Sequence, residues 1–257
     1  MKTFRRVARG DQTLALLDGW HLIEEALRAN VEIDTVAVVP VEETPGLTVV
    51  AGARARGAEI VEVSSAVMDA LSPVRTPSGV VALVRRRSVA LTDLLTPAPP
   101  LIIIAVDIQD PGNLGAMIRS AEAGGASGVA VLGASADAWG WKALRAGMGS
   151  TLRVPVVQGD DTEAVVEAVR AAGVQLVATV PRGGADMHDV DLCEAVAILI
   201  GGEGPGLSEA LRRFADFRIS IPMQQPVESL NAAVAAALLV YEARRQRHTG
   251  TERHTGP

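Results

Sequence analysis

Between Leu14 and Asn30 the apolar residues fall at Leu16, Leu17, Trp20, Ile23, Ala26 and Leu27. The spacing is close to a helical repeat and Asn30 ends it, so a first helix is predicted there. The pattern then shortens to β-branched runs at Val36–Val39, Thr48–Val50, Ile60–Val63 and Gly79–Val84, with a helical segment at Ser65–Leu71. Such runs predict strands, and together they describe a small α/β unit over residues 1–88. Pro97, Pro99 and Pro100 remove ladder donors and break any helix in the next stretch, so 89–100 reads as a linker.

Beyond it, Leu101–Val106 is an unbroken apolar run of the kind found in a strand covered on both faces. Further strands are predicted at Val129–Leu132, Val154–Val157, Leu176–Val180, Val196–Ile200 and Phe217–Ile221, alternating with helical patterns near 113–124, 138–147, 161–172 and 207–214. Regular alternation gives an α/β domain with a mostly parallel sheet and helices on both faces. A last helix, Leu230–Arg247, is rich in Ala and Leu and ends in arginines that complement the negative end of its dipole. That bounds the second domain at 101–247. Residues 248–257 repeat Arg-His-Thr-Gly without an apolar anchor, which predicts a disordered tail.

Composition changes this picture little. A chain of 257 residues accommodates two modest domains, and with 3% aromatics the cores must be built from aliphatic side chains. The net charge of −6 argues against coating nucleic acid through a general positive field. Arginines nevertheless gather at Arg5, Arg6 and Arg9, at Arg85, Arg86 and Arg87, and at Arg244, Arg245 and Arg247. Each cluster fits either a phosphate contact or the solvated end of an element. One cysteine, Cys193, and no export-signal pattern point to the cytoplasm, and Leu101–Val106 is too short to span a bilayer. Four histidines without ligand spacing leave no metal site, and no G-x-S-x-G elbow occurs.

Three segments carry candidate chemistry. The first leaves the central strand as Asp107-Ile-Gln-Asp-Pro-Gly-Asn-Leu-Gly and enters a helix at the sheet edge where α/β proteins bind ligands. Leu114, Met117, Ile118 and Ala121 can face the sheet, while Gly115, Arg119 and Glu122 lie on another face, Arg119 pointing outward with no side chain one turn before it. Its spacing also fits an Arg119–Glu122 ion pair, and Asn113 fits a helix cap. The second, Gly201-Gly-Glu-Gly-Pro-Gly-Leu-Ser, follows a buried strand and lacks both the dinucleotide and the phosphate-loop signatures. Glu203 within it favours a neutral or cationic ligand, or is simply a turn residue. The third runs from Ile219 to Asn231, and there Ser229 or Asn231 could cap the last helix.

In this order the segments resemble the three motifs of the SpoU/TrmH family in the SPOUT superfamily of methyltransferases: Asn113-x-Gly115-x-x-x-Arg119, Gly201-x-Glu203-Gly204-x-Gly206, and Ile221-Pro222-Met223 leading to Ser229-Leu230-Asn231. The resemblance spans about 101–247. It includes Trp141–Ser150, where Gly147 stands in place of the family's usual Ser. The amino-terminal part is similar, more loosely, to the family's ribosomal-protein-like substrate-binding domain. The resemblance implies a trefoil knot and a homodimer formed through the knotted domain. The implied activity is methyl transfer from S-adenosylmethionine to an RNA ribose 2′-hydroxyl, on ribosomal RNA rather than transfer RNA. Transfer RNA, base methylation and non-catalytic RNA binding are the alternatives. The implied cofactor residues are Thr179, Ile200, Gly201, Glu203, Gly204, Ile219, Ile221, Met223, Ser229 and Leu230. The implied catalytic set is Asn113, Arg119, Glu203, Ser229 and Asn231, and the RNA contacts are Arg5, Arg6, Arg9, Arg119, Lys142 and Arg145. Arg119 is a base only if strongly perturbed; stabilising an alkoxide or clamping phosphate is physically easier.

Overall fold

The computed structural model describes residues 2–40 and 44–253. The first domain comprises α1 (Lys2–Ala8), β1 (Leu14–Asp18), α2 (Trp20–Arg28), β2 (Ile33–Val38), α3 (Thr44–Ala55), β3 (Glu59–Glu62), α4 (Ser65–Leu71) and β4 (Val80–Arg85). Its sheet runs β1-β4-β2-β3, with β3 parallel to β2 and the other pairs antiparallel. Two predicted elements change type. The helix expected from Leu14 opens as strand β1, in which Leu16 and Leu17 are both buried, on opposite faces. An apolar run covered on both sides carries no period that separates strand from helix. The strand expected at Thr48–Val50 lies inside α3, because parallel β2 and β3 require a crossover and α3 supplies it, burying Val49 and Ala53 one turn apart. The linker holds a short 3-10 helix, Leu91–Leu95, whose Leu94 is fully buried beneath the second sheet.

The second domain adds β5 (Leu101–Val106), α5 (Pro111–Gly124), β6 (Gly128–Leu132), α6 (Trp141–Gly147), α7 (Ser150–Arg153), β7 (Val156–Gly159), α8 (Thr162–Ala171), β8 (Gln175–Thr179), β9 (Ala185–Asp186), β10 (Val196–Gly201), α9 (Glu209–Phe214), β11 (Phe217–Ser220) and α10 (Ala232–Arg253). Its seven strands are all parallel, in the order β7-β6-β5-β10-β8-β11-β9. Along β5 alternate residues enter two apolar layers: Leu101, Ile103 and Ala105 face α5 and α10, while Ile102, Ile104 and Val106 face α8 and α9. The helix predicted at 138–147 is α6, which starts at Trp141; Met148 and Gly149 adopt positive φ and end it, and the short α7 follows outside the predicted range. Helix α10 continues past Arg247 to Arg253, into the stretch expected to be disordered; the last four residues of that stretch, 254–257, lie outside the described residues. Among the described residues no helix is long and apolar enough to cross a membrane.

The two domains share a core. Ala15, Leu17, Val36, Val38, Val80, Ala82 and Val84, on one face of the first sheet, cluster with Trp139, Leu144 and Leu152 from the second domain. Arg86 donates two hydrogen bonds to Asp137, at 3.0 and 2.6 Å. Arg153 joins the buried Glu25 of α2 to Glu122 of α5.

Candidate active site

The carboxyl ends of β8, β10 and β11 surround a cavity of about 240 Å³. Its wall includes Thr179, Ile200, Gly201, Glu203, Gly204, Ile219, Ile221, Met223, Ser229 and Leu230, so all the sequence-predicted cofactor residues converge on it. Sequence reasoning missed Arg212 of α9, the only basic residue among the lining ones, as well as Val180, Pro181 and Ala235. Arg212 lies outside the three motifs, and nothing in its local spacing sets it apart.

Backbone geometry explains the glycines of the second segment. Gly202 lies so near the first segment that a Cβ would sit 2.0 Å from the Asp107 carbonyl oxygen, and Gly204 turns at φ 95°. Only residues without a Cβ allow that approach and that turn. The 201–207 loop therefore rests against the end of β5, tied by the Gly202 amide donating to the Val106 carbonyl at 2.8 Å. This brings Glu203 beside α5. A smaller cleft of about 60 Å³, lined by Asp107, Ile108, Gln109, Asp110, Asn113, Glu203 and Ala232, adjoins the main cavity through Glu203 and Ala232.

A directed hydrogen-bond chain crosses this junction. Asn231 caps α10: its Oδ1 accepts from the amides of Ala233 at 2.9 Å and Val234 at 3.3 Å. Its Nδ2 is thereby left to donate, and does so to Asn113 Oδ1 at 2.9 Å. Asn113 Nδ2 must then point the other way, and it donates to Glu203 Oε1 at 2.6 Å. The cap of one helix thus fixes the orientation of a carboxylate on a separate loop. Asp110, not Asn113, caps α5, accepting from the Asn113 amide at 2.7 Å. Ser229 does not cap α10; it is exposed at the cavity mouth.

Arg119 is exposed, and among the described residues it makes no hydrogen bond or ion pair. The Arg119–Glu122 pair that the spacing allows does not form, because Arg153 holds both oxygens of Glu122, at 2.5 and 2.8 Å. Gly115 does not leave open space ahead of Arg119 either: it is buried, and a Cβ there would lie 2.3 Å from the Ala143 carbonyl oxygen of α6. Arg119 lines neither cavity. Glu209, one turn before Arg212, accepts from Arg213, which holds its carboxyl below the usual range.

Residues 100–241 match the family model described as SpoU rRNA Methylase. This chain belongs to the SpoU rRNA methylase family. Residues 4–82 of this SpoU family member also match the MRM3-like substrate binding domain. Among its relatives, the Bacillus subtilis (strain 168) 23S rRNA (guanosine(2553)-2'-O)-methyltransferase RlmP is 34% identical over 229 residues, 89% of this chain and 88% of that protein. The AdoMet-bound rRNA methyltransferase from Sinorhizobium meliloti superposes with a TM-score of 0.85 at 32% identity, covering 95% of this chain and 93% of the other. The SpoU methyltransferase AviRb from Streptomyces viridochromogenes, in complex with AdoMet, gives 0.85 at 30% identity over 97% and 98% of the two chains.

The sequence-predicted RNA residues of this SpoU protein do not form one patch. Arg5 and Arg6 lie on α1, with Arg9 just beyond it, and α1 packs on one face of the first sheet; Lys142 and Arg145 lie on α6, packed against the other. Arg6 pairs with Asp11 at 3.2 Å, whereas Lys142 lies over the Trp141 ring at 5.5 Å. Two further arginine clusters are largely structural. Arg86 and Arg85 form ion pairs with Asp137 and Glu32, and Arg247 donates to the carbonyls of Pro99, Pro100, Leu192 and Glu194. Gly147 is buried, with a Cβ position 3.4 Å from the Gly115 carbonyl oxygen, so it offers no surface for RNA.

Proposed function

We propose that this SpoU family protein is an S-adenosylmethionine-dependent RNA ribose 2′-O-methyltransferase acting on ribosomal RNA. The observation that carries the reading is the chain Asn231–Asn113–Glu203, which holds a carboxylate at the junction of a cavity and a cleft. The cavity suits the cofactor: apolar walls from Leu207, Ile219, Ile221 and Leu230 fit an adenine ring, and the glycine backbone of 201–206 admits close approach where side chains would block it. When bound, S-adenosylmethionine supplies an electrophilic methyl group.

The protein's own residues supply position and charge. Asn113 occupies one oxygen of Glu203, and the other has no protein partner among the described residues, so it is available to accept from a hydroxyl or face a cation. Ser229, exposed at the mouth, can donate to or accept from the ribose. Arg119 carries a permanent charge and no competing carboxylate, which suits it to stabilise a developing alkoxide or clamp a phosphate.

The reading includes a homodimer. Val234, Leu238 and Tyr241, 48%, 39% and 51% exposed, form an apolar stripe along α10, which packs beside α5. A second copy on that stripe accounts for an Arg119 that does not line its own subunit's cavity. The trefoil threading belongs to the same reading, supported by the 201–207 and 221–230 segments lining one cavity. So does a cytoplasmic location, which the single cysteine supports.

The test is transfer of labelled methyl from S-adenosylmethionine to ribosomal RNA, followed by nuclease digestion and identification of the nucleoside. A ribose-methylated product is expected, with label abolished in Arg119→Ala. A methylated base, or label found only in transfer RNA, rejects this reading.

A further inference from the structure

The cofactor cavity does not end at Arg212. Past Val180, Pro181 and Arg212 it opens into a groove of about 490 Å³, also lined by Arg182, Gly183, Glu209, Arg218 and Glu228. In a chain of net charge −6 this is a local concentration of arginine. Glu209 is already paired, with Arg212 at 3.0 Å and Arg213 at 3.0 Å. Arg182 and Arg218 are exposed and form no ion pair within 4 Å of a carboxylate among the described residues; Arg218 donates to the Arg212 carbonyl, at 3.3 Å, and its charge also acts on Glu209, less than those of Arg212 and Arg213. Glu228 is the one acid of the groove without an arginine.

The opposite end of the cavity has the reverse sign. Glu203 adjoins Asp107 and Asp110 in the small cleft, an arrangement that repels phosphate. A strand with one ribose at this junction must therefore carry its neighbouring phosphates away from the acids and toward the arginines. Most of the residues lining the groove are exposed, which fits a polymer backbone rather than an enclosed small ligand. Guanidinium groups suit it because their planar forks pair with phosphate oxygens.

We infer that Arg182 and Arg218, with Arg212 at the seam, form the track for the backbone phosphates of the RNA strand that flank the target nucleotide. The inference rests on the methyltransferase reading for its substrate. It is tested on the whole chain with Arg182→Gln/Arg218→Gln, and with Arg182→Gln alone, a change at an exposed side chain that makes no hydrogen bond among the described residues. Ribosomal RNA binding is measured as a function of salt, S-adenosylmethionine binding is measured by calorimetry without RNA, and methyl transfer at saturating RNA is followed in parallel.

Expected for the double variant is an RNA affinity lower by about tenfold and a salt dependence shallower by roughly one counterion per arginine removed. Cofactor affinity and kcat at saturating RNA stay at the wild-type level, and Arg182→Lys/Arg218→Lys recovers most of the RNA affinity. The single variant shows about half the change in salt slope. Wild-type RNA affinity and salt slope in both variants overturn the track, as does a loss of cofactor binding that accounts for the defect. Failure of the functional reading looks different: there the wild type itself neither binds S-adenosylmethionine nor transfers methyl.

Discussion

Two polar networks in this protein solve different problems. At the domain junction, Arg86 with Asp137 and Arg153 with Glu25 and Glu122 set full charges against each other beside the shared apolar core of Trp139, Leu144 and Leu152. Every charge there has a partner, as burial demands. At the cavity, Asn113, itself oriented by Asn231, contacts Glu203 without neutralising it, and one carboxylate oxygen has no protein partner among the described residues. The first network holds two domains in one orientation. The second orients a charge while leaving it free to act, which neutral amides can do because they donate and accept in fixed directions.

Breaking each network separates the two roles. The largest effect is expected from Asn113→Ala: methyl transfer should fall by about 10²-fold, equivalent to about 3 kcal/mol of transition-state stabilisation. Thermal stability should change little, since Asp110 rather than Asn113 caps α5; steady-state kinetics beside a melting curve check both. Arg153→Ala should do the reverse, lowering unfolding free energy by about 2 kcal/mol in urea titration by leaving Glu25 with Arg28 alone.

A third effect is acid-dependent. The Arg245 hydrogen bond, opposed by burial, lowers the Glu242 carboxyl to about 2, from 4.5. A depressed carboxylate contributes stability that is present above its unfolded value and lost as pH falls through its folded one. Stability should therefore decline between about pH 4.5 and about 2, and Glu242→Gln should flatten that limb by no more than about 2 kcal/mol in pH-dependent unfolding. The smallest effect is a gain. Thr151 Oγ1 is buried without a hydrogen bond, and a Cβ at Gly147 would lie 3.6 Å from it. Gly147→Ser brings a hydroxyl to that atom and removes a helical glycine, so stability should rise by about 1 kcal/mol in a thermal melt.

Much of this molecule can be read from its residues. The parallel-sheet domain follows from strands and helices alternating with the right periods, and β5 is the predicted run Leu101–Val106. The glycines around Glu203 are legible because close backbone approach and tight turns restrict which residues are tolerated, whereas Ile221 and Ser229 are legible only through the family resemblance of their motif. The misreadings share a cause. Leu14–Asp18 and Thr48–Val50 are apolar runs whose period does not decide their state, and it is the neighbouring sheet and the β2–β3 crossover that settle them.

Sequence by itself determined most of the elements, the three motifs and the family they mark, since those depend on local periodicity and on residue types that chemistry and backbone geometry restrict. Tertiary structure alone decided which polar atoms meet. That Glu122 turns to Arg153 instead of Arg119, that Asn231 aims Asn113 at Glu203, and that Arg212 joins the cavity wall all depend on segments far apart in the chain. A hydrogen bond acts over about 3 Å, so its partner is fixed only once packing has placed both groups.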